Sequence, residues 1–340
     1  MNKYNIAIVG ATGLVGRKIL DCLFKENFPI KTIKLLASKR SAGKLITHKS
    51  KEYLVEEAKQ SSFRNIDIAF FTAGASTSKR LVPPAIEAGA IVIDNTSAFR
   101  MHSEVPLVVP EVNSHALKKH QGIIANPNCS TIQLALSLSP IQKSYGIKRI
   151  VASTYQSISG GGSESINKFK NEILSAVKKD LKIDELAYED NPFAFNLIPQ
   201  IDDFTDNEYT KEEMKIINET KKILEDKNLQ IAATCVRVPV FNSHSESVYI
   251  EVEKASVNKK DIMTCLSEHP SIYLVDDPKN QKYPTPLMTS NREGIYIGRI
   301  RKDPDIDKGF HLWIVSDNLL KGAALNSIHI GKALIKEGII

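Results

Sequence analysis

The chain reads as an α/β protein in two parts: a doubly wound parallel sheet, then a mixed or antiparallel sheet with helices on one face. Three observations predict this. The buried-strand run Tyr4-Asn5-Ile6-Ala7-Ile8-Val9 passes straight into Gly10-Ala11-Thr12-Gly13-Leu14-Val15-Gly16, then a helical pattern through Leu20 and Leu23. Short apolar runs follow at 33–37, 68–71, 91–94 and 123–125, the rhythm of parallel strands buried on both faces. From Ile150 the runs lengthen and alternate, at 150–156, 231–240 and 247–252, as strands with one open face do.

The 340 residues leave room for two domains and a sizeable core. No run approaches the roughly 18 apolar residues of a membrane span. The N-terminus enters a strand-like run without the apolar region of a signal peptide, so a cytoplasmic protein with no membrane partner is expected. Cys22, Cys129, Cys235 and Cys265 are too few and too scattered for a disulfide framework or a metal site. The net charge of +6 is dispersed, and no basic run is interleaved with aromatics. That argues against nucleic acid and suits small anionic substrates.

In the first half, the glycine turn is a G-x-x-G-x-x-G variant of the dinucleotide fingerprint. Its glycines allow a tight turn and close approach to a pyrophosphate, which sits on the helix N-terminus. An NAD-type site places Asp or Glu after the second strand. This chain has Ser38-Lys39-Arg40-Ser41 there, a set suited to a 2′-phosphate, hence NADP, or else a solvated basic turn. The small-residue stretch 72–76 suits a loop lying against the cofactor. Arg100 follows the strand at 91–94, where ligands gather in such sheets; it is an anion grip or a surface arginine. Residues 107–110 read as a last strand before the turn Asn126-Pro127-Asn128-Cys129-Ser130-Thr131. Cys129 there opens a helix. The helix dipole and backbone N–H groups favour its thiolate and are placed to hold an oxyanion, making Cys129 the candidate nucleophile.

In the second half, Gln156 precedes a glycine loop at 157–162, read as mobile. It orients a carbonyl or is an exposed strand-end amide. Along 231–240, Thr234, Val236, Val238 and Val240 are assigned to the core. Cys235 and Arg237 take the other face, where Arg237 is available to clamp a carboxylate. His244, in a loop at 241–245, is a candidate acid/base. Thr210 and Glu213 form a capping box. This leaves Glu212 beside Lys215 as a surface ion pair, or as a pair meeting an ammonium and a phosphate. Asn318 and the small residues after it suit a final helix packed back on the nucleotide domain.

Six of these motifs, in order, resemble the aspartate-β-semialdehyde dehydrogenase family in its Gram-positive-type bacterial branch, over essentially the full length. They are the glycine turn, the cysteine turn, Gln156 with its loop, Glu212 with Lys215, Arg237-Val238-Pro239-Val240 with His244, and 317–323. The resemblance implies a Rossmann domain at 1–128, completed by a C-terminal helix at about 317–340. It implies an α+β substrate and dimerisation domain like that of glyceraldehyde-3-phosphate dehydrogenase at 129–316, and a homodimer. It implies NADPH-dependent conversion of L-aspartyl-4-phosphate to L-aspartate-4-semialdehyde and phosphate, in lysine, threonine, methionine, isoleucine and diaminopimelate biosynthesis. By the same resemblance Cys129 forms a thioester, His244 is the acid/base and Gln156 orients the acyl group. Arg237 takes the α-carboxylate and Glu212 the amine, while Arg100 and Lys215 take phosphate. Gly10, Thr12, Gly13, Leu14, Val15, Arg40, Ser41, Ser159, Gly160 and Asn318 contact NADP. Two other readings stand beside it. One is N-acetyl-γ-glutamyl-phosphate reductase, whose acylated amine would leave Glu212 without a partner. The other is a non-catalytic NADPH-binding regulator, which needs no thiolate.

Overall fold

The computed structural model describes residues 2–179 and 191–340. The chain forms two compact units, Met1–Ile132 with Gly322–Ile340, and Gln133–Lys321.

The first unit holds seven strands: β1 (Tyr4–Val9), β2 (Ile30–Ala37), β3 (Leu45–His48), β4 (Lys51–Glu57), β5 (Ile68–Phe71), β6 (Ile91–Asp94) and β7 (Ile123–Ala125). Their order is β3-β4-β2-β1-β5-β6-β7, parallel except for the β3–β4 hairpin. Ile6, Ala7, Ile8 and Val9 are all fully buried, so β1 is covered on both faces, as its unbroken apolar run requires. The helix Leu325–Lys336 packs on the helix Leu14–Lys25. Gly331 lets Phe28 approach, since a Cβ there would lie 3.0 Å from the ring. Residues 107–110 are not a strand. Leu107 makes a single parallel bridge to Ala125, and Pro110 starts the short helix Pro110–Asn113, because proline's fixed φ and missing donor suit a first helical position.

The second unit holds β8 (Ile147–Gln156), β9 (Gln230–Arg237), β10 (His244–Val252), β11 (Ile272–Leu274), β12 (Ile295–Lys302) and β13 (Gly309–Ser316). The order is β11-β12-β13-β10-β8-β9, with β8–β9 and β11–β12 parallel and the other pairs antiparallel. Buried and partly exposed positions alternate along β8, leaving one open face that carries Ser153 and Tyr155. The helix Lys211–Ile223 packs on β9. β9 turns the opposite way from the expectation: Ala233 and Cys235 are buried and Thr234 is exposed. A period of two says that the faces differ, not which one is covered. The deciding contact comes from that helix, where Glu213 Oε1 accepts the Cys235 backbone N–H at 2.9 Å. β9 is an edge strand, and Glu213 pairs one of its outward donors. Burial also pushes the Cys235 thiol pKa well up, so this cysteine is a packing residue. Among the described residues no helix is long and apolar enough to cross a membrane.

Glu246 on β10 is fully buried, and burial pushes its pKa from 4.5 up to about 8, the Gln133 amide offsetting this only in part. Between those values the folded chain keeps a proton that the unfolded chain releases. Stability therefore falls as pH rises through this window, by up to roughly 1.4 kcal/mol per pH unit. Glu246→Gln removes the titration while keeping the shape. Its stabilisation, measured by urea unfolding, is expected to be large at pH 8 and to shrink toward pH 4.5; an equal gain at both would contradict this.

Candidate active site

In the first unit, β1 ends at Gly10, whose φ of 92° suits glycine. A Cβ there would sit 2.5 Å from Thr72 Oγ1, and one at Gly16 2.3 Å from Gly10 O. The Gly13 N–H returns to Gly10 O at 3.0 Å and closes the turn. The helix from Leu14 has no side-chain cap and no acid in its first turn, so its N–H groups face the turn available to an anion. A cleft of about 510 Å³ runs along it, with Gly10, Thr12, Gly13, Ser38, Lys39 and Thr72 among its walls. This donor set fits a dinucleotide pyrophosphate.

At the basic turn, the residues that line the cleft are Ser38 and Lys39. Arg40 is exposed outside it and Ser41 is buried. Residues 39–41 form a 3-10 turn, in which successive side chains point about 120° apart, so neighbours of Lys39 face elsewhere. Lys59 and Arg80 also line the cleft. Sequence reasoning missed them because they come from other elements, Lys59 just after β4 and Arg80 within the helix Ala75–Glu87. Glu57, at the end of β4, pairs with Lys59 at 3.0 Å.

The cysteine turn is in the same unit. Cys129 is partly exposed and starts the helix Cys129–Tyr145. Asn128 Oδ1 accepts the N–H groups of Ser130 at 2.9 Å and Thr131 at 3.3 Å. Those two donors, expected to be open to an oxyanion, are spent on the cap. Arg100 is buried and donates from Nε to Asn126 O at 3.0 Å and from Nη2 to Asn95 O at 2.7 Å, so it braces the turn. The Asn126 side chain donates to Asn95 Oδ1 at 3.1 Å and accepts from Asn326 at 2.8 Å. Gly322 provides close clearance, as a Cβ there would lie 3.1 Å from Cys129 Cβ.

In the second unit, Gln156 is buried and donates to Glu212 Oε1 at 3.2 Å. Lys215 donates to Glu212 Oε2 at 3.1 Å and to Asp202 Oδ2 at 2.8 Å. Burial works against the Lys215 charge, but Glu212 and then Asp202 outweigh it and hold the lysine pKa above its ordinary value. With Glu212 buried, this is not a surface ion pair. Asp202 carried no local signal, lying outside the helix of the other two. Glu213 closes the capping box with Thr210, as expected.

His244 is the first residue of β10, not a loop residue, and is fully buried. Its Nδ1 accepts the Ser157 backbone N–H at 3.0 Å. Burial, and then the Arg237 guanidinium, push the imidazole pKa well below its ordinary value. Arg237 donates to Ser157 O at 2.7 Å. In place of an open mobile loop, Ile158–Gly161 is a 3-10 turn with Ser157, Ile158 and Ser159 buried. A Cβ on Gly160 would lie 2.9 Å from Arg237 Nη1 and 3.2 Å from His244 Nε2. Asn318 is buried and accepts from Ser157 Oγ at 3.1 Å, Ser159 Oγ at 3.2 Å and the Ser243 N–H at 3.0 Å. Ser159 and Asn318 thus bond to each other whatever else they contact.

Residues 5–120 match the family described as semialdehyde dehydrogenase, NAD binding domain, and residues 138–321 match semialdehyde dehydrogenase, dimerisation domain. The aspartate-semialdehyde dehydrogenase of Bacillus subtilis (strain 168) is 50% identical over 344 residues, covering 99% of each chain. The crystal structure of aspartate semialdehyde dehydrogenase II complexed with ASA from Vibrio cholerae has a TM-score of 0.92 at 40% identity, over 99% of each chain. That of the Candida albicans enzyme with NADP has a TM-score of 0.78 at 26% identity, over 100% of each. The chain belongs to the aspartate-semialdehyde dehydrogenase family. Its fold is an NAD(P)-binding Rossmann unit with a semialdehyde-dehydrogenase dimerisation domain.

Gly10→Ala tests the cleft. The methyl meets Thr72 Oγ1 and the backbone leaves its permitted region, so a loss of roughly 1–3 kcal/mol is expected in chemical denaturation. NADP(H) affinity should fall more than about tenfold in a fluorescence titration; unchanged binding would place the dinucleotide elsewhere.

Proposed function

We propose that this chain is an oxidoreductase that interconverts L-aspartyl-4-phosphate and L-aspartate-4-semialdehyde with NADP(H) and phosphate. It would serve lysine, threonine, methionine, isoleucine and diaminopimelate biosynthesis, as a cytoplasmic homodimer. The carrying observation is a partly exposed cysteine at a helix start, in the unit that also holds a dinucleotide cleft. In support, the other unit gathers an amide, a carboxylate and a lysine, all hydrogen-bonded in series. The open face of the second sheet suits the contact between copies.

Cys129 attacks the acyl phosphate and carries the acyl group as a thioester, dividing one hard displacement into two easier ones. Lys215, held charged, receives the departing phosphate, and Arg100 adds positive charge beside the cysteine turn. Arg237 pairs with the α-carboxylate and Glu212 with the ammonium, while Gln156 orients the acyl group and His244 serves its oxygen. Gly10, Thr12, Gly13, Leu14 and Val15 hold the pyrophosphate, and Gly160 leaves the cofactor room. When bound, the cofactor supplies the hydride that reduces the acyl carbon. NADP is favoured because Lys39, Lys59 and Arg80 line the cleft while its acid, Glu57, is already paired. The NADP in the Candida albicans structure agrees. The reductase for an N-acetylated substrate is disfavoured, since it would have no ammonium for the buried Glu212.

Phosphate-dependent reduction of NADP by aspartate semialdehyde is the test, with NAD and N-acetylglutamate semialdehyde as comparisons. NADP with the free amine should give the highest kcat/KM. Cys129→Ala should lose at least roughly 10⁴-fold in kcat while still binding NADP. Turnover surviving in that variant would exclude the thioester.

A further inference from the structure

Lys215 stands between two carboxylates. Its ammonium donates to Glu212 Oε2 at 3.1 Å and to Asp202 Oδ2 at 2.8 Å, so this trio sets two negative charges against one positive. The other oxygen of Glu212, Oε1, accepts from Gln156. All four residues lie in the second unit. Glu212 and Lys215 meet because they are three apart on one helix. Asp202 is brought there by another route. It sits in a loop fastened at both ends, where Ile198 bridges Arg237 and Phe204 bridges Thr210. Its φ of 70° is left-handed, a conformation that persists in a residue with a side chain only where its surroundings impose it. Its Oδ1 takes the Asp203 N–H at 3.0 Å, which leaves Oδ2 to the lysine. Burial works against the Asp202 charge, but Lys215 and then that N–H outweigh it and hold the carboxyl below its ordinary range.

We propose that Asp202 sets the enzyme's selectivity for a substrate with a free α-ammonium: it holds Lys215 by a second carboxylate, so that Glu212 can exchange the lysine for the substrate's ammonium. The proposal rests on the reading of Glu212 as the ammonium's partner. A Glu212–Lys215 pair alone is already neutral. An incoming cation could then take Glu212 only by leaving a half-buried lysine without its anion, which is costly. With Asp202 present, the lysine that gives up Glu212 still has a carboxylate at 2.8 Å. The trio is one cation short, and the substrate ammonium makes up the difference. One charge-assisted hydrogen bond replaces another, and no proton moves. Asp202 does not touch the substrate in this scheme; it is a positioning residue that acts through Lys215.

The test compares L-aspartate-4-semialdehyde with succinate semialdehyde, which has the aldehyde and the carboxylate but no amine, in the assay with NADP and phosphate. Asp202→Asn keeps the shape, tolerates the left-handed backbone and still accepts from Lys215, but carries no charge. It is expected to raise KM for the amine-bearing aldehyde about tenfold with kcat within about twofold, and to leave succinate semialdehyde unchanged. Asp203→Asn is the control. That carboxylate pairs with Lys211 at 2.6 Å instead, so the ratio of kcat/KM between the two aldehydes should stay within about twofold of wild type. An Asp202→Asn enzyme with the wild-type ratio overturns the proposal. So does an equal loss on both aldehydes, which marks a loosened loop, or a fall in the ratio as large in Asp203→Asn. Wild-type enzyme that shows no preference for the amine defeats the reading of Glu212 itself, and does so before any variant is made.

Discussion

One carboxamide oxygen holds together the histidine's part of the second unit. Asn318 Oδ1 accepts from Ser157 Oγ, Ser159 Oγ and the Ser243 N–H, bringing together the end of β8, the residue before β10 and the chain after β13. Ser243 has φ 72°, a conformation that costs free energy for a residue with a side chain and persists only where its surroundings demand it. Asn318 meets that demand by taking the Ser243 N–H. The next residue is His244, so its position is inherited from this strained step. Asp317 adds to the same brace, accepting the Asn242 side chain at 2.7 Å and the Asn291 N–H at 2.7 Å.

The cysteine turn is built by the same means. Its geometry comes from amides and one arginine: Asn126 tied to Asn95 and Asn326, Asn128 capping the helix, Arg100 under the carbonyls. Such buried polar networks are favourable only when their members are satisfied, and they then hold one conformation. The cap has a chemical consequence. It uses two N–H groups at the helix start, so these are not open to an oxyanion.

Legibility in the sequence followed the range of the interaction. The glycine turn, the cysteine turn and the Thr210–Glu213 capping box are each defined within about seven residues, and each has the structure its residues suggest. The face of β9 was misread because alternation is symmetric; what breaks the symmetry is a helix that ends a few residues before the strand begins. Asp202 beside Lys215, and Lys59 and Arg80 along the cleft, were invisible because nothing near them in sequence marks the convergence. His244 looked like a loop residue because Asn242 and Ser243 carry turn chemistry. That chemistry proves to be the strained entry to a strand. The burial of the ring, which governs its protonation, is a long-range property that no local pattern reports.

Comparison with other histidines shows how differently this ring is set. His48 lies 2.9 Å from Asp21, His311 2.9 Å from Asp303 and His329 2.9 Å from Glu111. Each of these has a carboxylate within hydrogen-bond reach. At His244, burial and then Arg237 oppose charge, outweighing the Ser243 backbone, which favours it. The carboxylates of this region are committed elsewhere, Glu212 and Asp202 to Lys215 and Glu213 to the cap and edge of β9. Placing Glu212 or Asp202 against the ring instead would raise the imidazole pKa and release Lys215 from the pairing that keeps it cationic. Charge is thus concentrated on a lysine and an arginine, which suit anionic groups of a substrate, while the imidazole stays neutral. The division of labour among Lys215, Arg237 and His244 therefore follows from where Asp202 and Glu212 are spent.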